Sequence, residues 1–405
     1  MIAVFDVVII ALLYVDTKKS KSLFTPFTIT AAIFLMLINI NNFLISKIYH
    51  YDKVENKTLI LFLIVFSIIF VVRCVMYQIF DRCSDKEKAA EKISRRNRLI
   101  PILFYIGLIA YFISMILSLK QYGFGQIKGT NNGIFGHLSS FGYIMAPLLV
   151  SYYGQSKKKL IAYISVALHY GIGLMFGGKY PLFINAMYFI LYFVVDKKIK
   201  FKQIIKYLLL VAILVVLVFV VIYTILPSIF SKFGGTIEMM KLGDTIEHLF
   251  YYLLAPVIAC NDAFSSLNPN GTQIVFTVPI NIYRFLIGNN KYVSPIHGFD
   301  YGYASNKSTN VAGLFGETIN CLGPVWGTVF IVILFVFIYY VYLMYRKKDR
   351  YKLLTCLLLS ACCFSFFFNF FTVSGVMIPM LFAVAIELIL TRIGNNDIKR
   401  KTNIN

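Results

Sequence analysis

Apolar runs close to the length of a bilayer crossing recur from one end of this chain to the other, and that repetition leaves few folds open. A hydrocarbon core of roughly 30 Å takes about 20 apolar residues per helix, and inside lipid each backbone N–H and C=O must find its partner within the protein. The runs are Ile2 to Val15, Phe27 to Ile45, Leu59 to Tyr77, Ile100 to Leu119, Ile134 to Tyr153, Leu160 to Phe176, Pro181 to Val195, Ile204 to Leu226, Val325 to Tyr345, Leu353 to Phe371 and Val376 to Leu390. With 59% hydrophobic and only 14% charged residues among 405, the expected fold is an all-α polytopic integral membrane protein of about eleven transmembrane helices. Lys18, Lys19 and Lys21 follow the first run, whereas a signal peptide carries its charges ahead of it, so this run is expected to stay as a helix.

The basic residues orient the spans. With the N-terminus outside and the C-terminus inside, 27 of the 39 lysines and arginines fall in inner loops and tails, which is the distribution the positive-inside rule requires. The net charge of +21 is therefore mostly a record of topology, facing anionic headgroups, and no nucleic-acid partner is expected from it. Seven cysteines show no paired metal-ligand spacing, so neither metal nor other cofactor is expected. Cys260 and Cys321 share one loop and can bridge; the expected state is two unbridged, buried thiols. Asp6, Arg73 and Glu387 lie near span ends and are expected to snorkel.

Three parts follow: spans 1 to 8 in residues 1–226, a large extracytoplasmic loop over 227–324, and spans 9 to 11 with a basic tail in 325–405. No internal repeat is visible, and eight spans, a loop, then three is not the plan of a repeat-built transporter. The loop is the one long excursion from the bilayer, and chemistry is expected there. Its segment Thr272 to Ile287 suits a helix lying in the interface, and Arg284 stands among Ile282, Tyr283, Phe285 and Leu286. A guanidinium in such surroundings suits a bidentate oxyanion; a salt bridge to Asp262, Glu247 or Asp300 is the competing explanation. Further on, His297, Tyr303, Lys307, Asn310, Glu317 and Trp326 supply the imidazole, hydroxyl, amide, charged and aromatic groups of a carbohydrate site.

A second anion site is expected at the hairpin between spans 6 and 7. These helices reach only roughly 25 and 22 Å at about 1.5 Å per residue, which draws the Gly177-Gly178-Lys179-Tyr180 turn inward. Two glycines expose amides and Lys179 sits at a helix start, where an anion is favoured; a plain hairpin with a snorkelling lysine explains the same letters.

At these residues the chain resembles the bacterial O-antigen and capsule repeat-unit polymerases, the Wzy family, related in plan to the O-antigen ligases. The resemblance lies in the Gly-Gly-Lys hairpin, the Tyr-rich stretch from Tyr251 to Ser266, and Thr309-Asn310 leading through Gly316 into Leu322 to Gly327. Ligases carry a His-Asn pair close before their Gly-x-x-Gly, whereas here Thr309-Asn310 and His297 lie further away, so the likeness is to the polymerases. It implies a metal-independent glycosyltransferase of the bacterial cytoplasmic membrane, joining oligosaccharide repeat units carried on undecaprenyl diphosphate at the outer face. A flippase and a chain-length regulator are the implied partners. In that scheme Arg284, Lys179 and Lys307, with the amides of Gly177 and Gly178, hold the diphosphate as it leaves. His297 is the first choice of general base, ahead of Glu317 and Asp262, and Tyr303, Asn310 and Trp326 contact sugar. A flippase and an acyltransferase are the alternatives; the latter would need a catalytic histidine with acid or arginine partners, and His169, mid-span beside Tyr170, faces no obvious partner.

Overall fold

The computed structural model describes residues 1–82, 98–123, 133–154, 156–176, 179–197, 216–217, 219–225, 227–228, 241–268, 270–289, 291–294, 298–300, 307–348 and 350–402. Its helices are α1 (Ile2–Ser20), α2 (Pro26–Ile48, with a π-helical turn at Asn41–Ile45), α3 (Asn56–Arg82), α4 (Leu99–Tyr122), α5 (Ile134–Tyr152), α6 (Lys159–Met175) and α7 (Lys179–Val194). Then come α8 (Leu242–Ile258), α9 (Cys260–Ala263), α10 (Gly271–Val275), α11 (Thr277–Leu286), α12 (Gly313–Lys348), α13 (Lys352–Cys363) and α14 (Ser374–Thr402). The strands β1 (Phe299–Asp300) and β2 (Ser308–Thr309) pair antiparallel between α11 and α12. The fold is all-α, and six helices are long and apolar enough to cross a membrane: α2, α3, α4, α5, α12 and α14 as far as Arg392. Helices α6, α7 and α13 are apolar but shorter, and the expected eighth span lies mostly outside the described residues.

The chain forms two compact units, one of residues 1–89, 250–350 and 358–377, the other of 90–249, 351–357 and 378–405. In the first, Phe34 of α2 meets Phe62 and Phe66 of α3 at 5.2 and 5.5 Å and Phe315 of α12 at 5.1 Å. Helices α3 and α12 run parallel: Phe62 and Phe66 contact Phe315 toward their starts, and Lys347 donates to Asp81 at 2.7 Å at their ends. The loop after α2 and the segment before α12 consequently share one end of this unit. Thr25 caps α2, accepting from the Thr28 amide at 3.0 Å, with Pro26 in the first turn.

Charge is buried in this unit. Arg73 Nε donates to Asp16 Oδ1 at 2.6 Å, both side chains are almost fully enclosed, and Thr28 Oγ1 donates to the other carboxylate oxygen at 2.7 Å, joined there by Thr25 Oγ1. The guanidinium also lies 4.3 Å from the Tyr77 ring centre. Arg73 therefore does not snorkel; the carboxylate that directly follows the first apolar run meets it inside the protein.

Two helical stretches are interrupted, the second of them where a single helix was expected. Gly323 takes φ 78°, ahead of Pro324, so α12 is a short helix to Leu322 followed by a long one. The short piece turns back against the long one, since a Cβ on Gly327 would lie 2.9 Å from Ile319 Cα. It also carries Phe315 into the aromatic core, so these residues of the expected loop are part of the packed interior. The run Leu353 to Phe371 likewise does not continue as one helix: α13 stops at Cys363. Asn369 caps a turn of its own by accepting from the Phe371 amide, and the Ser365 carbonyl accepts from the Leu314 amide at 2.6 Å. Asparagine and serine compete with the helix for backbone bonds, and irregular backbone inside a membrane protein survives where protein groups satisfy it.

In the second unit three glycines let α4, α5 and α6 close on one another. A Cβ on Gly107 would reach the Gly142 amide at 2.2 Å, one on Gly142 the His169 ring at 2.3 Å, and one on Gly173 the Tyr143 hydroxyl at 2.3 Å. His169 is sealed there, 4.4 Å from the Tyr143 ring and 5.0 Å from that of Tyr111. Glu387 is buried as well, accepting from the Leu353 amide at 2.8 Å and the Leu354 amide at 3.5 Å. It caps α13 and does not snorkel.

Candidate functional site

The end of the first unit that holds the α2–α3 loop is where polar and aromatic groups gather. Two asparagines in the π-turn of α2 fasten that loop: Asn41 Nδ2 donates to the Asp52 carbonyl at 2.9 Å, and Asn42 exchanges bonds with Val54, accepting its amide at 2.9 Å. Fixed in this way, the loop offers backbone groups to the segment after α8. Asn261 accepts from the Glu55 amide at 3.0 Å and donates to the Lys53 carbonyl at 2.9 Å, while Lys57 Nζ reaches Ser265 Oγ at 3.0 Å. Burial, with the Glu55 carboxylate adding to it, pushes the Asp52 carboxyl above its ordinary range.

Lys307 sits in this cluster. Its Nζ donates to the Tyr49 carbonyl at 3.1 Å and lies 4.9 Å from the centre of the Tyr51 ring. Tyr49 packs on Phe250 at 5.8 Å, and the neighbouring Tyr251 hydroxyl donates to Thr309 Oγ1 at 3.4 Å. Asn310 follows Thr309 and is exposed. The β1–β2 pairing sets Phe299 opposite Thr309 and Asp300 opposite Ser308. Tyr252 stacks on Phe367 at 5.6 Å, and burial pushes its hydroxyl up to about 12.

Arg284 stands on α11. Among the described residues its guanidinium makes one hydrogen bond, Nη1 donating to the Lys291 carbonyl, and no ion pair. The turn that carries Lys291 is folded back on the helix by Asn281, whose side chain donates to the Val293 carbonyl at 2.9 Å and accepts from its amide at 2.8 Å. Tyr283, Phe285 and Leu286 beside it are 63–74% exposed, an apolar face of the kind an interfacial helix lays into headgroups. Arg284 itself is half-buried.

Glu317 is in the interior, 2% exposed, with one carboxylate oxygen accepting from the Ala312 amide and the other from the Asn369 amide, each at 3.3 Å. It ties the broken segment after α13 to the short helix of α12. Trp326 is 70% exposed next to Val325, on the outside of α12. Lys179 opens α7, in the second unit. Gly177, Gly178, His297 and Tyr303 lie outside the described residues, as do the side chains of Lys179 and Asp300. Cys260 and Cys321 are unbridged and buried, and burial drives the Cys260 thiol well up.

Tyr49, Tyr51, Asn41, Asn42 and Asn261 do not emerge from the sequence as site residues, although consecutive asparagines inside an apolar run are a visible departure from pattern. Among the described residues no three His, Cys, Asp or Glu side chains form a metal-ligating group.

No curated protein and no solved structure matches the chain. The family model described as O-antigen polysaccharide polymerase Wzy matches residues 1–291, a stretch that takes in the Gly-Gly-Lys hairpin, the fastened α2–α3 loop, Tyr251 to Ser266 and Arg284. With most of its length matched, this multi-pass membrane chain belongs to the O-antigen polysaccharide polymerase Wzy family, whose members are glycosyltransferase-type polymerases of O-antigen repeat units.

Proposed function

We propose that the chain joins undecaprenyl-diphosphate-linked oligosaccharide repeat units at the outer face of the bacterial cytoplasmic membrane, with eleven spans, the N-terminus outside and residues 227–324 forming the catalytic loop. The observation that carries this is the cluster in which Lys307, between the Tyr49 carbonyl and the Tyr51 ring, joins Tyr251, Thr309 and Asn310 at one end of the first unit. A cation, tyrosine faces and an exposed amide are what an anionic, sugar-bearing substrate calls for. Arg284 supports it from an amphipathic helix suited to headgroup level, where the diphosphate of a polyprenol would lie.

In this scheme the anomeric C–O bond to the diphosphate breaks while the acceptor hydroxyl attacks. Arg284 and Lys307 stabilise the charge that collects on the leaving diphosphate. Lys179 is assigned to diphosphate binding, with the amides of Gly177 and Gly178, by charge and by its place at a helix start. His297, two residues before β1, is assigned as the base that takes the hydroxyl proton. Glu317, engaged by two backbone amides, is assigned to hold the broken helices that support the loop. Asn310 and Tyr303 are assigned to sugar, and Trp326 to the sugar or headgroup boundary. The scheme uses no metal. A flippase delivers the substrate and a regulator sets the length of the product.

Purified protein given the lipid-linked repeat unit alone, without nucleotide sugar or acyl donor, is expected to lengthen it into a ladder of multiples. Acyl transfer, or no lengthening until a nucleotide sugar is added, would refute the proposal.

A further inference from the structure

We infer that the second unit carries a binding site for an anionic phospholipid headgroup, built from residues that take no part in the polymerisation scheme. Where the end of α5, the start of α6, the end of α7 and the start of α13 come together, they line an open pocket of about 650 Å³. That is within the ~300–1,000 Å³ common for small-ligand sites. Among the described residues, Lys159, Lys197 and Lys352 line it against a single acid, Asp196.

The lysines are held on aromatic and carboxylate neighbours. Lys352 Nζ lies 2.7 Å from Asp196 Oδ2 and 4.4 Å from the centre of the Tyr192 ring, and Lys159 Nζ lies 5.8 Å from that of Tyr163. Two of the cations also stand where helix dipoles disfavour them, since Lys159 opens α6 and Lys352 opens α13. Helix starts favour anions. A phosphate in the pocket would meet three ammonium groups and relieve that conflict.

A lipid, as opposed to free phosphate, is indicated by what leads away from the pocket. Leu160, Ile161, Ile164 and Leu168 of α6 are 53–68% exposed and share one face of the helix that starts in the pocket wall. Acyl chains laid along that face would leave the phosphate among the lysines. The positive-inside assignment puts this end at the cytoplasmic leaflet, where anionic lipids gather.

The test uses the purified full-length protein with phosphatidylglycerol, phosphatidylcholine or inorganic phosphate, read by native mass spectrometry for bound lipid and by thermal unfolding. Phosphatidylglycerol is expected to stay bound and raise the unfolding temperature, with neither other probe doing so. The exposed pair Lys159→Gln and Lys197→Gln should weaken its binding about fivefold for each lysine removed. Asp196→Asn, which takes away the one acid among the described lining residues, should strengthen it, a change in a direction that damage to the fold does not produce. Equal effects of phosphatidylcholine, equal effects of inorganic phosphate, or affinity unchanged or lowered in Asp196→Asn would each overturn the inference.

Discussion

Arg284→Ala is expected to reduce the polymer ladder to single repeat units in cells that still hold normal amounts of the protein. The expectation comes from the local geometry. Arg284 is half-buried, and the one hydrogen bond it makes among the described residues goes to the Lys291 carbonyl, so its removal takes little from the fold. A donor that meets charge as it develops on a leaving group is worth roughly 10²- to 10³-fold in rate. Arg284→Lys should recover part of the loss, because it keeps the charge and forfeits the two-pronged geometry. Lys179→Ala is expected to act in the same direction. Normal ladders in both alanine variants, measured by gel profile against immunoblotted protein, would remove the diphosphate assignment.

Asp16→Ala is expected to do the opposite, removing the protein and leaving no altered activity to measure. It strands Arg73, which is 2% exposed, without its carboxylate, and releases the hydroxyls of Thr25 and Thr28 as well. Breaking one half of a buried ion pair costs about 3–5 kcal/mol, a large share of the stability of any domain. Pairing Asp16→Ala with Arg73→Met removes both charges and should restore much of the abundance, since an apolar pair in the same space avoids the uncompensated cation. Equal amounts of Asp16→Ala and unaltered protein in membranes would show that this pair does not hold the first unit together.

The membrane character was legible because hydropathy over about 20 residues is a strong signal, and helices α2 to α5, α12 and α14 fall on the runs that announced them. What hydropathy does not reveal is where an apolar run stops being a helix. Phe364 to Phe371 is as greasy as its neighbours, yet the Asn369 side chain and the Asn369 amide given to Glu317 make a turn of it. Gly323-Pro324 was visible as a break, but its consequence, a short helix folded back into the core, depends on Phe315 meeting Phe34, Phe62 and Phe66 from distant parts of the chain. Arg73 and Glu387 read as snorkelling residues because their partners, Asp16 and the α13 amides, are remote in sequence.

The same limit applies to the candidate site. Lys307 and Asn310 were legible from composition in the loop, whereas Tyr49, Tyr51 and the two asparagines that fasten their loop lie over two hundred residues earlier and join them only through the fold. The family likeness was drawn from motifs on both sides of Lys291, while the matched stretch ends there, so Thr309-Asn310 and Leu322 to Gly327 carry it by resemblance alone.

Everything assigned to the site requires residues 227–324 to face away from the cytoplasm. Asn270→Cys places a thiol on an exposed position of that loop, while the unaltered protein's cysteines, buried or half-buried wherever they are described, set the background. In intact protoplasts a membrane-impermeant maleimide is expected to label Asn270→Cys at once, and Ser156→Cys, in the short loop before α6, only after permeabilisation. Labelling of Asn270→Cys only after permeabilisation would put the loop in the cytoplasm and contradict the account.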